Sequence, residues 1–258
     1  VGEIQRPGAL YQQVAAEIRN AITAGEIPPG APVPSETQLM DRYGVSRPTV
    51  RNAIAALRSE GLIEVIHGKG SFVRALPAPV NTLCRGVAGK GRTFSVLGGE
   101  VWEPVEEPAV HRTTTSAITG RQLGLDEGEE LFSCDWLLAD PTTGTRLMQR
   151  VLIPFATAED TGLGKAPDSA PTELYAMLAE AGHKLWWSET VGARIPKPDE
   201  RTTLQLADAT AVLHAARTTH GNDDRPLLLE ELRVSADRAQ LTYRINAEKT
   251  PATGRTRR

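Results

Sequence analysis

The 258 residues carry 29 Lys and Arg against 32 Asp and Glu, for a formal net charge of −3, with 40% hydrophobic and 24% charged residues. These values are ordinary for a globular protein and exclude a uniformly basic nucleic-acid binder. No apolar run approaches the roughly 18 residues of a membrane-spanning helix, and Cys84 and Cys134 form neither a CxxC nor a ligand cluster. With no signal-peptide pattern at the N-terminus, the chain is expected to be soluble and cytoplasmic, to keep both thiols reduced, and to bind no metal, cofactor or membrane.

The first predicted helix runs from about Leu10 to Ala24, where Leu10, Val14, Ile18, Ala21 and Ile22 make one apolar stripe and Gly25 stands at the C′ position. "EIPPGAPVP" follows, and its prolines exclude regular structure. Ser35 and Gln38 form a capping box for a second helix that turns inward Leu39, Met40 and Tyr43. After Gly44-Val45, a third helix starts with Ser46 as N-cap and Pro48 in the first turn, and Gly61 stops it. Val50, Ala53, Ile54 and Leu57 are its buried face. "LIEVI" and "SFVRA" then read as a hairpin around His67, Gly68, Lys69 and Gly70.

Three short helices and a hairpin make a winged helix-turn-helix. Between Asp41 and Arg74 six basic residues face three acidic ones, a local excess that can steer toward phosphate despite the acidic average. The third helix presents Arg47, Thr49, Arg51 and Asn52 near its N-terminus, the end that a recognition helix inserts into the major groove. An arginine fork matches guanine O6 and N7, and an asparagine amide matches adenine. Ser46 and Thr49 suit phosphates, and the helix N-terminus adds partial positive charge. Exposed arginines and glycine-rich turns are each usually just solvated. Their combination in this order points to DNA.

The stretch from "LYQQVAAEIRN" to "HGKGSFV" resembles the N-terminal domain of the GntR family of bacterial transcription regulators. The resemblance implies DNA-contacting roles for Ser35, Glu36, Ser46, Arg47, Thr49, Arg51, His67, Gly68 and Lys69. Where the family usually has "LPSER" this chain has "VPSET", so Thr37 replaces an arginine that often contacts DNA, a departure that bears on operator preference and affinity.

Residues 76–92, rich in proline and glycine, read as a linker between a DNA-binding domain at 1–75 and a second domain at 93–247. A basic tail at 248–258 is expected to be disordered. The second domain holds a repeat: Leu123, Leu125, Leu131, Leu147 and Ile153 recur 81 residues later as Leu204, Leu206, Val212, Leu228 and Val234. Each copy reads as a short helix, a strand, a turn and a second strand, and a further helix over Thr172–Ala181 ends at Gly182. The pattern predicts an α+β domain with an antiparallel sheet. "LGLDEGEEL", "RVLIP", "TELYAMLAEAG" and "LLLEELRVSADRAQLTYRI" resemble the UTRA domain of the HutC branch. That resemblance implies a chorismate-lyase-like sheet, an effector pocket and dimerisation through the sheet.

In UTRA domains that bind sugar phosphates, two arginines lie one residue apart on the strand after "LGL". The matching positions here are assigned to Asp135 and Leu137, which cannot hold a phosphate, so the expected effector is apolar or cationic. Arg150, Glu230 and Glu231 lie on strands that line the family's pocket, and Trp186, Trp187 and Tyr243 offer stacking surfaces. The full set of expected site residues also includes Asn52 and Gly70 at the DNA and Trp187 and Tyr243 at the effector. There is no HExxH, no GxSxG and no correctly spaced P-loop, so no catalytic residue is assigned. The sequence thus predicts a homodimeric repressor that leaves a palindromic operator when a small molecule binds. The alternatives are an activator of metabolic or conjugative-transfer genes and a ligand-free DNA-binding protein.

Overall fold

The computed structural model describes residues 9–66, 68–75, 81–96, 102–207 and 209–245. The N-terminal unit contains α1 (Leu10–Thr23), α2 (Glu36–Tyr43), α3 (Arg47–Ser59) and the antiparallel hairpin of β1 (Ile63–Ile66) and β2 (Gly70–Val73). Val14, Ile18, Leu39, Val50, Ala53, Leu57, Ile63 and Val73 form one continuous core. The capping box forms: Gln38 N donates to Ser35 Oγ at 3.3 Å, and Ser35 N donates to Gln38 Oε1 at 2.8 Å. Ser46 occupies the N-cap of α3 but shares its hydroxyl with Thr49 Oγ1 at 2.9 Å instead of capping an amide. The proline-rich loop has neither helix nor strand, as expected, but it is tied to β2. Two of its amides pair with β2, Gly30 N with Val73 O at 2.9 Å and Val33 N with Ser71 O at 2.8 Å, so the loop backs the wing.

Residues 76–80 lie outside the described residues, but the expected linker over 76–92 is already sheet from Asn81 onward. β3 (Asn81–Cys84) is followed by the hairpin of β4 (Val87–Lys90) and β5 (Thr93–Val96). Composition misled here because β3 finds its partner far along the chain. It runs parallel to β13 (Ala239–Thr242), with Leu83 opposite Leu241. Residues 246–258, including the basic tail, lie outside the described residues.

The remaining elements are β6 (Glu103–Pro104), β7 (Ala109–Thr114), α4 (Ala117–Leu123), β8 (Glu130–Ala139), β9 (Arg146–Pro154), α5 (Phe155–Thr161), a 3-10 turn (Leu163–Lys165), α6 (Pro171–Glu180), β10 (Trp186–Arg194), α7 (Pro198–Thr203), β11 (Val212–His220) and β12 (Pro226–Ser235). Seven strands form an antiparallel sheet in the order β10-β11-β12-β9-β8, with β6 and β7 both on the outer side of β8.

The 81-residue repeat is built into the strand registers. Ala109 opposite Asp135 and Asp135 opposite Arg150 recur as Thr190 opposite Ala216 and Ala216 opposite Glu231. The two halves meet where β12 pairs with β9, and there Arg150 lies opposite Glu231, its own equivalent. That pair therefore marks a pseudo-twofold axis through the sheet. α4 and α7 are likewise equivalent. The α4 side packs Leu123 with Leu131, Leu152 and Leu229, and the α7 side packs Leu204 with Leu206 and Val212.

Candidate DNA-reading head and effector cavity

Arg47 and Arg51 stand on the exposed side of α3, with 56% and 64% of their side chains in solvent. Burial of Val50, Ala53 and Leu57 on the opposite stripe fixes this orientation, because residues three and four apart share one helix face. Both arginines meet Glu36 in the first turn of α2. Arg51 Nε donates to its oxygens at 3.0 and 3.3 Å, and Arg47 Nε lies 3.6 Å away. Exposed ion pairs of this kind contribute only about 0–1 kcal/mol, so the forks can exchange the carboxylate for a base edge at little cost. Ser35, Ser46 and Asn52 are exposed and Thr49 is half-buried. At the wing tip Gly68 and Gly70 adopt φ of +76° and +111°, which favour glycine, and Lys69 is exposed between them. His67 lies outside the described residues.

The sequence-predicted effector residues do not share one site. Glu230 and Glu231 are consecutive on β12, and alternation along a strand sends them to opposite faces. On one face Asp135, Arg150 and Glu231 form a cross-strand row. Arg150 Nε donates to Asp135 Oδ1 at 2.5 Å, and Glu231 accepts from Arg233. Arg233 lies 3.7 Å from Glu200, which takes a bidentate pair from Arg194 with both bonds at 2.6 Å. Asp135, Leu137 and Arg150 line a second hollow of about 230 Å³ on this side with Arg233. These contacts make Asp135, Arg150 and Glu231 members of an ion-pair ladder. Hydrogen bonding from Arg194, against the opposing effect of burial, draws the Glu200 carboxyl down from 4.5 to about 2. A depressed carboxyl adds stability above its unfolded pKa, and that stability is lost as pH falls through the folded value. Glu200→Gln is therefore expected to remove on the order of 3 kcal/mol of stability at neutral pH. Urea titrations from pH 6 to 2 should show the difference from wild type shrinking below about pH 4.5.

The opposite face holds a cavity of about 260 Å³. Its floor is the sheet, its walls are β3 and the start of α6, and Leu83, Trp102, Leu138, Leu147 and Leu232 give it an apolar body. Its polar end is a second cross-strand row in which Glu189, Arg217 and Glu230 lie opposite one another on β10, β11 and β12. Arg217 donates to Glu189 at 2.6 Å and to the carbonyl of Arg85, and Arg85 Nε also donates to Glu189 at 2.8 Å. Tyr175 donates its hydroxyl to Glu230. Burial pushes the Glu230 carboxyl up, against the pull of Arg217 and Arg85, and burial with Glu230 beside it pushes the Tyr175 phenol well up.

Of the expected effector residues, Glu230 alone lines this cavity. Trp187 is instead packed edge-on against Phe94 and Tyr175 in the core. Tyr243 sits outside the row and donates to Glu189 at 3.1 Å, and burial followed by Glu189 raises its phenol to about 12. Trp186 stacks on His220 at 3.9 Å, at the sheet edge. The residues missed from the sequence are Arg85, Glu189, Arg217, Tyr175 and Gln149. Arg217 left a usable signal. It alternates with Ala215 and Leu213 on a strand whose inward positions are otherwise apolar or hydroxylated.

Among the described residues no helix is long and apolar enough to cross a membrane, and no His, Cys, Asp and Glu group could hold a metal. Residues 10–73 match the model of the bacterial regulatory proteins of the gntR family, and residues 151–240 match that of the UTRA domain. The chain is 31% identical over 220 residues to the histidine utilization repressor of Pseudomonas putida, covering 83% of each protein. It is 27% identical over 260 residues to an uncharacterised HTH-type transcriptional regulator of Rhizobium meliloti, covering 93% of this chain and 97% of that one. A crystal structure described as a GntR-family regulator shares the fold, with a TM-score of 0.65 at 24% identity over 93% of this chain and 99% of its own. These relatives are named as regulators and repressors, not enzymes. A winged reading head followed by a UTRA sheet domain makes this chain a transcriptional regulator of the GntR family, in its HutC branch.

Proposed function

We propose that two copies of this protein grip an inverted-repeat operator, repress transcription in the cytoplasm, and release the DNA when a small molecule enters the cavity beside Glu230. The observation that carries this reading is the pair of solvent-facing arginines, Arg47 and Arg51, at the N-terminal end of a helix whose other face is core. Recognition helices read base edges from that end, and a dimer places two of them about one DNA turn apart. A repressor's role is supported by the name of the Pseudomonas putida relative. The roles assigned to Ser35, Glu36, Ser46, Thr49, Asn52, Gly68, Lys69 and Gly70 belong to the same reading, with Glu36 holding the Arg51 fork until DNA replaces it.

The effector is not a phosphosugar. The cavity-side residues of β8 are Phe132, Cys134, Trp136 and Leu138, the neighbours of Asp135 and Leu137, and none is cationic. Arg85 and Arg217 are both engaged by Glu189, so neither stands ready for a phosphate. The cavity suits a ligand with an apolar body and a hydrogen-bonding head that meets Glu230 and Gln149.

The test compares the full chain with a fragment ending at Arg74 on DNA from the protein's own promoter. The fragment keeps the helical core but has no sheet domain, so it should bind more weakly, having lost the second half-site. Equal affinity of fragment and full chain would refute dimer-based binding.

A further inference from the structure

The reading head and the sheet domain are tied together at Arg74, the residue after the buried end of β2. Only 14% of its side chain is exposed, and its guanidinium donates both to Asp237, in the turn between β12 and β13, and to the hydroxyl of Thr210. Thr210 itself donates to Asp237 at 2.9 Å, which closes a three-membered cluster. Gly61 borders it: a Cβ there would sit 3.3 Å from Arg74 and 3.4 Å from Ala209, on a backbone with φ of +74°. The Arg74 amide donates to Leu62 at 2.9 Å, so the side chain is anchored to the base of the hairpin that carries Lys69.

Asp237 connects in the other direction to the cavity. β13 begins two residues after it and lies alongside β3 from Ala239 opposite Asn81 to Thr242 opposite Cys84, and Asn81 N donates to Arg238 O at 2.9 Å. Leu83, Cys84 and Arg85 line the cavity, and Arg85 is part of its polar end. A continuous set of backbone and side-chain bonds thus runs from cavity wall to β13, to Asp237, to Arg74 and to the wing.

We infer that Arg74, Asp237 and Thr210 form an interdomain latch that couples the position of the cavity-lining strand β3 to the orientation of the wing. Its regulatory use rests on the reading of the cavity as the effector site. A partly buried ion pair suits the task because it has two discrete arrangements, made and broken. Removing one partner leaves the other charge poorly solvated, so the alternatives are well separated. Coupling is a shared response of both ends of this set to a change at the latch.

Hydrogen exchange of the full-length protein, followed by mass spectrometry, measures it without ligand or DNA. A failure here therefore bears on the latch and leaves the effector reading standing, whereas failure of the promoter-binding test bears on dimeric operator binding and leaves the latch standing. Asp237→Asn should raise exchange at Val73 and Arg74 and also, across the domain boundary, at Asn81–Arg85, by about tenfold in each segment. Arg74→Gln should do the same, the double variant should do no more than either single one, and Arg74→Lys, which keeps the charge, should lie closer to wild type. Glu60→Gln, which breaks the 2.7 Å pair with Arg19 inside the head, should leave Asn81–Arg85 unchanged. Unchanged exchange at Asn81–Arg85 in both single variants, or additive effects in the double variant, would overturn the proposal.

Discussion

Arg51→Ala is expected to weaken binding to the operator by about 1–3 kcal/mol, roughly 5- to 150-fold, while changing binding to random duplex little. The side chain is exposed, paired with Glu36, and close to the helix end proposed to enter the groove. Without a guanidinium at that point one base edge goes unread, and discrimination falls. Arg47→Ala should behave alike if its fork also reaches a base. Lys69→Ala should differ in kind. A lysine at a glycine-flanked wing tip is placed to neutralise phosphate, so its loss should weaken operator and random DNA together and lower the salt slope by about one unit. Fluorescence anisotropy with both duplexes, over a series of salt concentrations, separates the two behaviours. Identical responses of Arg51→Ala and Lys69→Ala on both duplexes would remove the division of labour proposed here.

Arg217→Ala is expected to destabilise the sheet domain by about 3–5 kcal/mol, the usual cost of stranding a buried charge. Arg217 is the cation between two buried carboxylates, Glu189 and Glu230, and it also closes onto the Arg85 carbonyl. Without it Glu189 keeps Arg85, whereas among the described residues Glu230 is left with the Tyr175 hydroxyl and the charge of Arg85. Replacing Arg217 by Met together with Glu230 by Gln should cost less than Arg217→Ala alone, because no uncompensated charge remains. Urea denaturation of the full chain measures both. A loss below about 1 kcal/mol for Arg217→Ala would mean that water reaches the cluster and that the cavity's polar end is not preorganised.

The head was legible in the sequence because its determinants are local. Ser35 and Gln38, Pro48, Gly44 and Gly61 each act within a few residues, and the stripe of Val50, Ala53 and Leu57 fixes which face of α3 is free. The 81-residue repeat was legible for a similar reason: strand register conserves spacing, so equivalent apolar residues recur at a fixed interval. The effector site was not. Glu230 and Glu231 are both acidic and adjacent, and only the direction of the pleat, set by neighbours on β9 and β11, decides which one meets the cavity. A shift of one residue along β8 moved Asp135 and Leu137 to the far face and brought Cys134 and Trp136 to the near one. β3 was read as linker because a parallel partner 158 residues away leaves no local trace. Arg85, just after β3, and Glu189 on β10 lie about 100 residues apart and were hidden for the same reason.

The measurement that bears most directly on the account is a hydroxyl-radical footprint of the full-length protein on its own promoter DNA. Protection of one inverted repeat with half-sites about one helical turn apart is expected, lost in Arg51→Ala at the same protein concentration. Uniform protection along the fragment, or a footprint indifferent to Arg51, would contradict it.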